Sequence, residues 1–209
     1  MTESLADETL MLRFKAGDAR AFEQLVRRHR TPVFNFLLRL CGHRQRAEDL
    51  LQETWLKVIR GASGYEPRAK FTTWLYTIAR NQCMDALRKE SYRKAESLEA
   101  SAGNGADERP LVERFASVHA APDRNAHNAA LRPQIEEALD RLPAEQREVF
   151  VLREYHGVPF REIAEVTGVS ENTVKSRMRY ALEGLRKTLS AMGVEGDMAE
   201  EAGARSLAT

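Results

Sequence analysis

Residues 160–179 read FREIAEVTGVSENTVKSRMR, and this stretch decides the fold class. Phe160, Ile163 and Ala164 fall on one face of a short helix. Gly168 then supplies a tight turn in which a residue without Cβ is most comfortable. Ala164 is small enough to let a second helix approach closely, and Val169 fits the angle between the two. Ser170 can cap that second helix with its hydroxyl. Val174, Met178, Ala181, Leu182 and Leu185 make its buried stripe, while Glu171, Asn172, Lys175, Ser176 and Arg179 lie opposite. Polar side chains near a helix N-terminus, followed by cations, suit base edges and flanking phosphates in a major groove. An ordinary helical hairpin with a solvated face would share the periodicity. The small–Gly–Val spacing favours a DNA-binding helix-turn-helix.

Working outward, almost every patterned segment reads as helix, and no alternating strand stands out. Upstream of the motif, helices are expected over 133–141 and from Pro143 to Gly157, with Pro159 opening the next. The last helix should run from Ser170 to about Met192. In the N-terminal half, 8–17 and 19–30 read as short helices broken at Gly17-Asp18. Pro32 can open a further helix to Leu40. From Arg46 to Ile59, Leu51, Trp55, Val58 and Ile59 share a stripe. Gly61–Gly64 and Pro67 make a loop, after which Thr72 or Thr73 can cap a helix running towards Arg88. From about Ser91 to Ala130, Ala, Ser, Gly, Asn, Pro and acids dominate, with a possible short helix over 110–118. The expected fold is therefore all-α: two small helical domains joined by a flexible linker. The boundaries are 8–94, a linker over 95–130, 131–192, and a disordered tail over 193–209.

The net charge of +1 hides an uneven distribution. Residues 71–94 carry five basic residues against two acidic ones, and so do residues 171–189. The linker and the tail are acidic. Two basic islands in an acidic chain suggest two separate phosphate contacts. No apolar run approaches the roughly 20 residues of a membrane span, and the acidic first 18 residues do not read as a secretory signal. The expected location is cytoplasmic, without membrane insertion. Cys41 and Cys83 lack metal or redox spacing and read as small, buried or half-buried residues. His29, His43, His119, His127 and His156 are scattered and read as surface residues. No HExxH, phosphate-cradling glycine loop or nucleophile triad is present, so neither an enzyme nor a cofactor or metal site is expected.

The N-terminal half carries two further surfaces. Asp49, Gln52, Glu53 and Lys57 lie on the outer face of the 46–59 helix, either solvated or available to another protein's helices. Trp74, Tyr76 and upstream Tyr65 interleave with Arg80, Asn81, Arg88 and Lys89, as single-stranded nucleic acid would require. The spacing of Trp74 with Leu75 and Ile78 equally suits a core tryptophan.

The segments AEDLLQETWLKVI (47–59) and FTTWLYTIARNQCMDALRK (71–89), in this order, resemble region 2 of extracytoplasmic-function sigma factors. The segment beginning ALDRLPAEQREVFVLREYHGV at Ala138 and continuing through the helix-turn-helix is similar to their region 4. The resemblance implies a protein that lends promoter recognition to core RNA polymerase. It implies that Asp49, Gln52 and Glu53 dock on the β′ clamp helices. It assigns Tyr65, Trp74, Tyr76, Arg80, Asn81, Asp85, Arg88 and Lys89 to the −10 element and its melting. Ser170, Glu171, Asn172, Thr173, Lys175, Ser176, Arg177 and Arg179 would serve the −35 element, with the same helix able to lie against the β flap. An anti-sigma factor is the further partner implied. The competing reading is a helix-turn-helix regulator without a sigma role, which would need a ligand or receiver domain that the N-terminal half does not resemble.

Overall fold

The computed structural model describes residues 5–100 and 126–194, with side chains over 5–93 and from 131 onward except Arg132. Eight α-helices make up its regular structure, and no strand occurs among the described residues. No described helix is long and apolar enough to cross a membrane. The possible helix over 110–118 and the tail from 195, expected to be disordered, lie outside the described residues. Contacts divide the chain into two compact units. The first contains α1 to α4; the second contains α5, α6, the first half of α7, and α8.

In the first unit, α1 (Asp7–Lys15) packs on α2 (Ala19–Cys41), and α2 packs on α3 (Arg44–Gly61) and α4 (Phe71–Ala100). Asp18 caps α2, its carboxylate accepting from the Arg20 and Ala21 amides. The expected break at Pro32 does not occur, because that proline sits inside a continuous α2. An interior proline costs about 3 kcal/mol. Downstream, Val33, Phe36, Leu37 and Leu38 are all at most 2% exposed. Burying each such side chain is worth about 1.5–3 kcal/mol, so packing outweighs the lost hydrogen bond.

The buried stripe of α3 is Ala47, Leu50, Leu51, Thr54, Trp55 and Val58. Ile59, expected on it, is 44% exposed. Phe71, Leu75, Ala79 and Cys83 bury one face of α4 at successive turns. A polar link crosses this core: Gln82 Nε2 donates to Thr54 Oγ1 at 3.0 Å, and Thr54 Oγ1 donates to the Leu50 carbonyl at 2.7 Å.

The N-terminus of α4 lies before the threonines expected to cap it. Thr72 and Thr73 lie within the helix, and the Phe71 amide instead donates to Glu8 Oε1, from α1, at 2.7 Å. His29 is also not a surface residue. Its Nε2 pairs with Asp7 Oδ2 at 2.7 Å, and its side chain is 15% exposed. Cys41 is half-buried and Cys83 buried; burial is the main cause pushing the Cys41 thiol above its usual pKa. The patternless stretch from Ser91 is helical as far as Ala100, in keeping with its alanines, glutamates and leucine, which are good helix formers.

In the second unit, α5 (Ala126–Asp140), α6 (Ala144–Phe150, extended by one wide helical turn over Val151–Tyr155) and α8 (Glu171–Ala191) share a core. Ala138, Leu139, Leu142, Ala181 and Leu185 form its centre. Arg147 fixes the α5–α6 turn, donating to Asp140 Oδ1, the Asp140 carbonyl and the Leu142 carbonyl. Between α7 (Phe160–Thr167) and α8, Gly168 adopts φ +72°, the left-handed conformation that the turn requires. The Ser170 hydroxyl then caps α8, accepting from the Thr173 amide at 3.1 Å.

Candidate nucleic-acid interfaces

The stripe Val174, Met178, Ala181 and Leu185 fixes the rotation of α8 by burial. Glu171, Asn172, Lys175, Ser176 and Arg179 are consequently exposed together. Lys175 pairs with Glu171 one turn back at 2.7 Å, a surface pair at 53% and 45% exposure. Such pairs are worth about 0–1 kcal/mol and exchange easily for a phosphate. Arg179 lies over the Tyr180 ring, 5.0 Å from its centroid, and donates to the Tyr180 hydroxyl. Tyr180 is 48% exposed and extends this face, a position that sequence reasoning missed. An aromatic beside a cation was its only sequence mark. The Ser170 hydroxyl and the Thr173 amide are engaged with one another in the cap.

Arg177 is a correction to the expected DNA set. Its side chain turns inward at 17% exposure, 2.6 Å from Glu145 Oε2 and 3.5 Å from Glu148 Oε1. Glu148 is fully buried. A buried carboxylate favours a nearby cation; Arg177 brings one to 3.5 Å, although its Nη1 makes no hydrogen bond there.

On the first unit, α3 and α4 flank an open groove of about 570 Å³. Asp49 and Glu53 line it from α3, and Asp85 and Lys89 from α4. Two sets of residues read from separate sequence segments therefore meet in one place. Arg46, which the sequence did not single out, also lines the groove and pairs across it with Glu90. Gln52 is exposed on α3 beside Glu53. Along α4, Arg80 and Asn81 are hydrogen-bonded to each other and Arg88 to Asp85, leaving these groups at the surface.

The aromatic residues divide. Tyr76 is 6% exposed and meets Phe36 edge-on at 5.2 Å, so it belongs to the core and not to a base-stacking surface. Burial raises its hydroxyl pKa. Tyr65 and Trp74 do come together, with centroids 5.0 Å apart, beside Phe71. Trp74 is half-buried over Gly61, where a Cβ would stand 3.2 Å from the indole ring. Glycine thus lets the ring lie close on the helix end. Tyr65 is 4% exposed, and its buried hydroxyl has no hydrogen-bond partner. Burial, reinforced by the charges of Glu8 and Asp7, pushes it up to about 12.

The model for sigma-70 region 2 matches residues 25–93, and that for sigma-70 region 4 matches residues 132–185. RNA polymerase sigma factor CarQ of Myxococcus xanthus is 36% identical over 185 residues, which span 88% of this chain and 98% of CarQ. The ECF RNA polymerase sigma factor SigM of Mycobacterium tuberculosis is 32% identical, over 88% of this chain and 85% of SigM. Among solved structures, CnrH in complex with the cytosolic domain of CnrY has a TM-score of 0.64 at 24% identity, covering 90% of this chain and 99% of CnrH. The sigma factor RpoE of Bartonella quintana, in complex with the anti-sigma factor NepR, has a TM-score of 0.62 at 24% identity, covering 82% and 98%. At that identity the two structures speak for the fold, and the two sequences speak for the family. The chain belongs to the extracytoplasmic-function (ECF) family of RNA polymerase sigma factors.

Proposed function

We propose that the two units divide promoter recognition between them and that the chain catalyses no reaction itself. The outer face of α8 reads the −35 element. Asn172 and Ser176 offer hydrogen-bonding groups to base edges, while Lys175 and Arg179 serve phosphate or base. The same helix can rest on the β flap of polymerase. In the first unit, Asp49, Gln52 and Glu53 dock on the β′ clamp helices. Trp74, backed by the buried Tyr65, and Asn81 receive an unpaired base of the −10 element, and Arg80, Asp85, Arg88 and Lys89 follow the strand upstream. The domains are 8–94 and 131–192, with 95–130 as linker. The work is cytoplasmic. CnrH and RpoE are bound by CnrY and by the anti-sigma factor NepR in their structures, and an inhibitor of that kind is proposed here.

The observation that carries this reading is the exposed polar and basic face of α8, presented by a helix whose opposite stripe is buried. The test is reconstitution with core polymerase and mapping of transcription starts on genomic DNA. A shared pair of −35 and −10 elements upstream of the starts is expected, with only weak promoter binding by the chain alone. Nanomolar sequence-specific binding without polymerase would instead favour a free-standing regulator.

A further inference from the structure

We propose that α1 is a brace that sets the loop 65–71 for strand opening, with Glu8 and Lys15 as positioning residues. The loop joins Tyr65 to the start of α4, and residues 66–70 within it are exposed. Both of its ends are tied to the same helix. Lys15 Nζ donates to the Tyr65 carbonyl at 2.9 Å, and Glu8 Oε1 accepts the Phe71 amide at 2.7 Å. These ties span 50 and 63 residues of sequence, so neither is a local turn bond. The Glu8 carboxylate also stands at the positive end of α4, where an anion is favoured.

The brace is itself anchored. Asp7 is held to α2 by Arg28 at 2.7 Å and by His29, and Leu10 and Met11 are fully buried. Removing either tie therefore leaves α1 docked and frees one end of the loop. Tyr65 and the first turn of α4, which carries Trp74, are the two parts thus held. This inference rests on the reading that Trp74, packed against the buried Tyr65, receives an unpaired base. An everted base must find its pocket already formed, because unstacking costs a few kcal/mol that a loosened pocket cannot return. Glu8 and Lys15 act through Tyr65 and Phe71 and need not touch DNA.

The test uses full-length Glu8→Ala, Glu8→Gln and Lys15→Met, each bound to core polymerase. Reactivity of −10 thymines to permanganate is measured on duplex promoter and on a template carrying a mismatched bubble over the −10 element. Protection of the −35 element is followed by footprinting. Glu8→Ala and Lys15→Met should each reduce duplex opening about fivefold, the effect of one hydrogen bond. Opening should recover on the bubble, and −35 protection should not change. Glu8→Gln keeps an acceptor oxygen and should lie nearer wild type. A purely structural defect would not distinguish the two templates. Wild-type opening by Glu8→Ala overturns the brace, and so does an equal loss on both templates. If Glu8→Ala does not fold, Lys15→Met decides in the same way. Trp74→Ala separates the two ideas. A defect there with normal opening by Glu8→Ala overturns the brace alone, whereas normal opening by Trp74→Ala removes the base-binding reading.

Discussion

Replacing Arg177 by methionine should damage the second unit and leave −35 discrimination intact. Methionine keeps the apolar stem and removes the charge. Glu148 is 0% exposed and Arg177 17%, so the substitution takes one cation away from a buried carboxylate. Breaking a fully buried pair costs about 3–5 kcal/mol. The 3.5 Å separation and the partial exposure of Arg177 place this pair at or below the lower end, at about 2–3 kcal/mol. Glu145, at 62% exposure, adds little. For a unit of this size each kcal/mol moves the midpoint by about 4–8 °C, so its transition should fall by roughly 8–24 °C. Circular dichroism melting of the full chain measures this. Arg177→Met, Glu148→Leu and the double variant together measure the coupling between the two side chains, and a non-additive cost is expected if Arg177 serves the buried carboxylate. Transcription from a panel of −35 variants, at a temperature where the unit is folded, should keep the wild-type order of preference. An unchanged melt with lost discrimination at one base pair would refute the reasoning. It would show that Arg177 reads DNA, as the sequence alone suggested.

Asp49→Lys and Glu53→Lys should weaken competition for core polymerase while moving stability by under about 0.5 kcal/mol, because both side chains are exposed; unchanged core affinity would remove them from the docking face. Lys175→Ala and Arg179→Ala should each weaken −35-dependent initiation, and a base contact, worth about 1–3 kcal/mol, would show as altered preference at one position. Equal transcription from all −35 variants by both mutants would exclude the exposed α8 face. For Tyr65 the sign follows from a folded pKa of about 12 against an ordinary value near 10. Neutral Tyr65 is favoured in the folded state, so its contribution is full below about pH 10 and lost as pH rises towards about 12. Tyr65→Phe should therefore gain on wild type across that window, by about 2 kcal/mol at most. A stability difference between the two that does not vary with pH would contradict the burial of this hydroxyl.

How far the sequence could be read depended on whether the deciding interaction was local. The α7–α8 turn was legible because Gly168, Ser170 and the Val174–Leu185 stripe act within a few residues of one another. Two helical domains and the exposed α8 face followed from the same periodicity. The break expected at Pro32 failed because propensity is local, while burial of Val33, Phe36 and Leu37 is not. Arg177 looked like its neighbours Lys175 and Arg179, and only the buried Glu148 on another helix distinguishes it. Tyr76 shares its spacing with Trp74, yet the packing of Phe36 draws one ring inward and leaves the other half-exposed. Glu8 could not have been found as the cap of α4. Its partner lies 63 residues away, and the nearby threonines, which fall inside the helix, pointed to a local cap.

The groove between α3 and α4 links the two roles assigned to the first unit. Asp49 and Glu53 stand on one wall, and Lys89 and Arg93 on the other, with Asp85 and Glu90 interspersed. In the free chain, opposite charges across such a groove attract one another in competition with any outside partner. Exposed pairs of this kind are worth only about 0.2–1 kcal/mol, so a partner with better-placed charges can replace them. A cationic surface engaging Asp49 and Glu53 relieves the attraction on Lys89 and Arg93 and leaves them to phosphate. If Asp49 and Glu53 dock on polymerase as proposed, docking and contact of Lys89 and Arg93 with the upstream strand would favour one another, and core polymerase should raise the affinity of the first unit for phosphate. That coupling is reciprocal. On that reading a near-neutral chain, at a net charge of +1, should bind promoter DNA weakly alone and well only with polymerase; tight binding by the free chain in an anisotropy assay would refute the coupling.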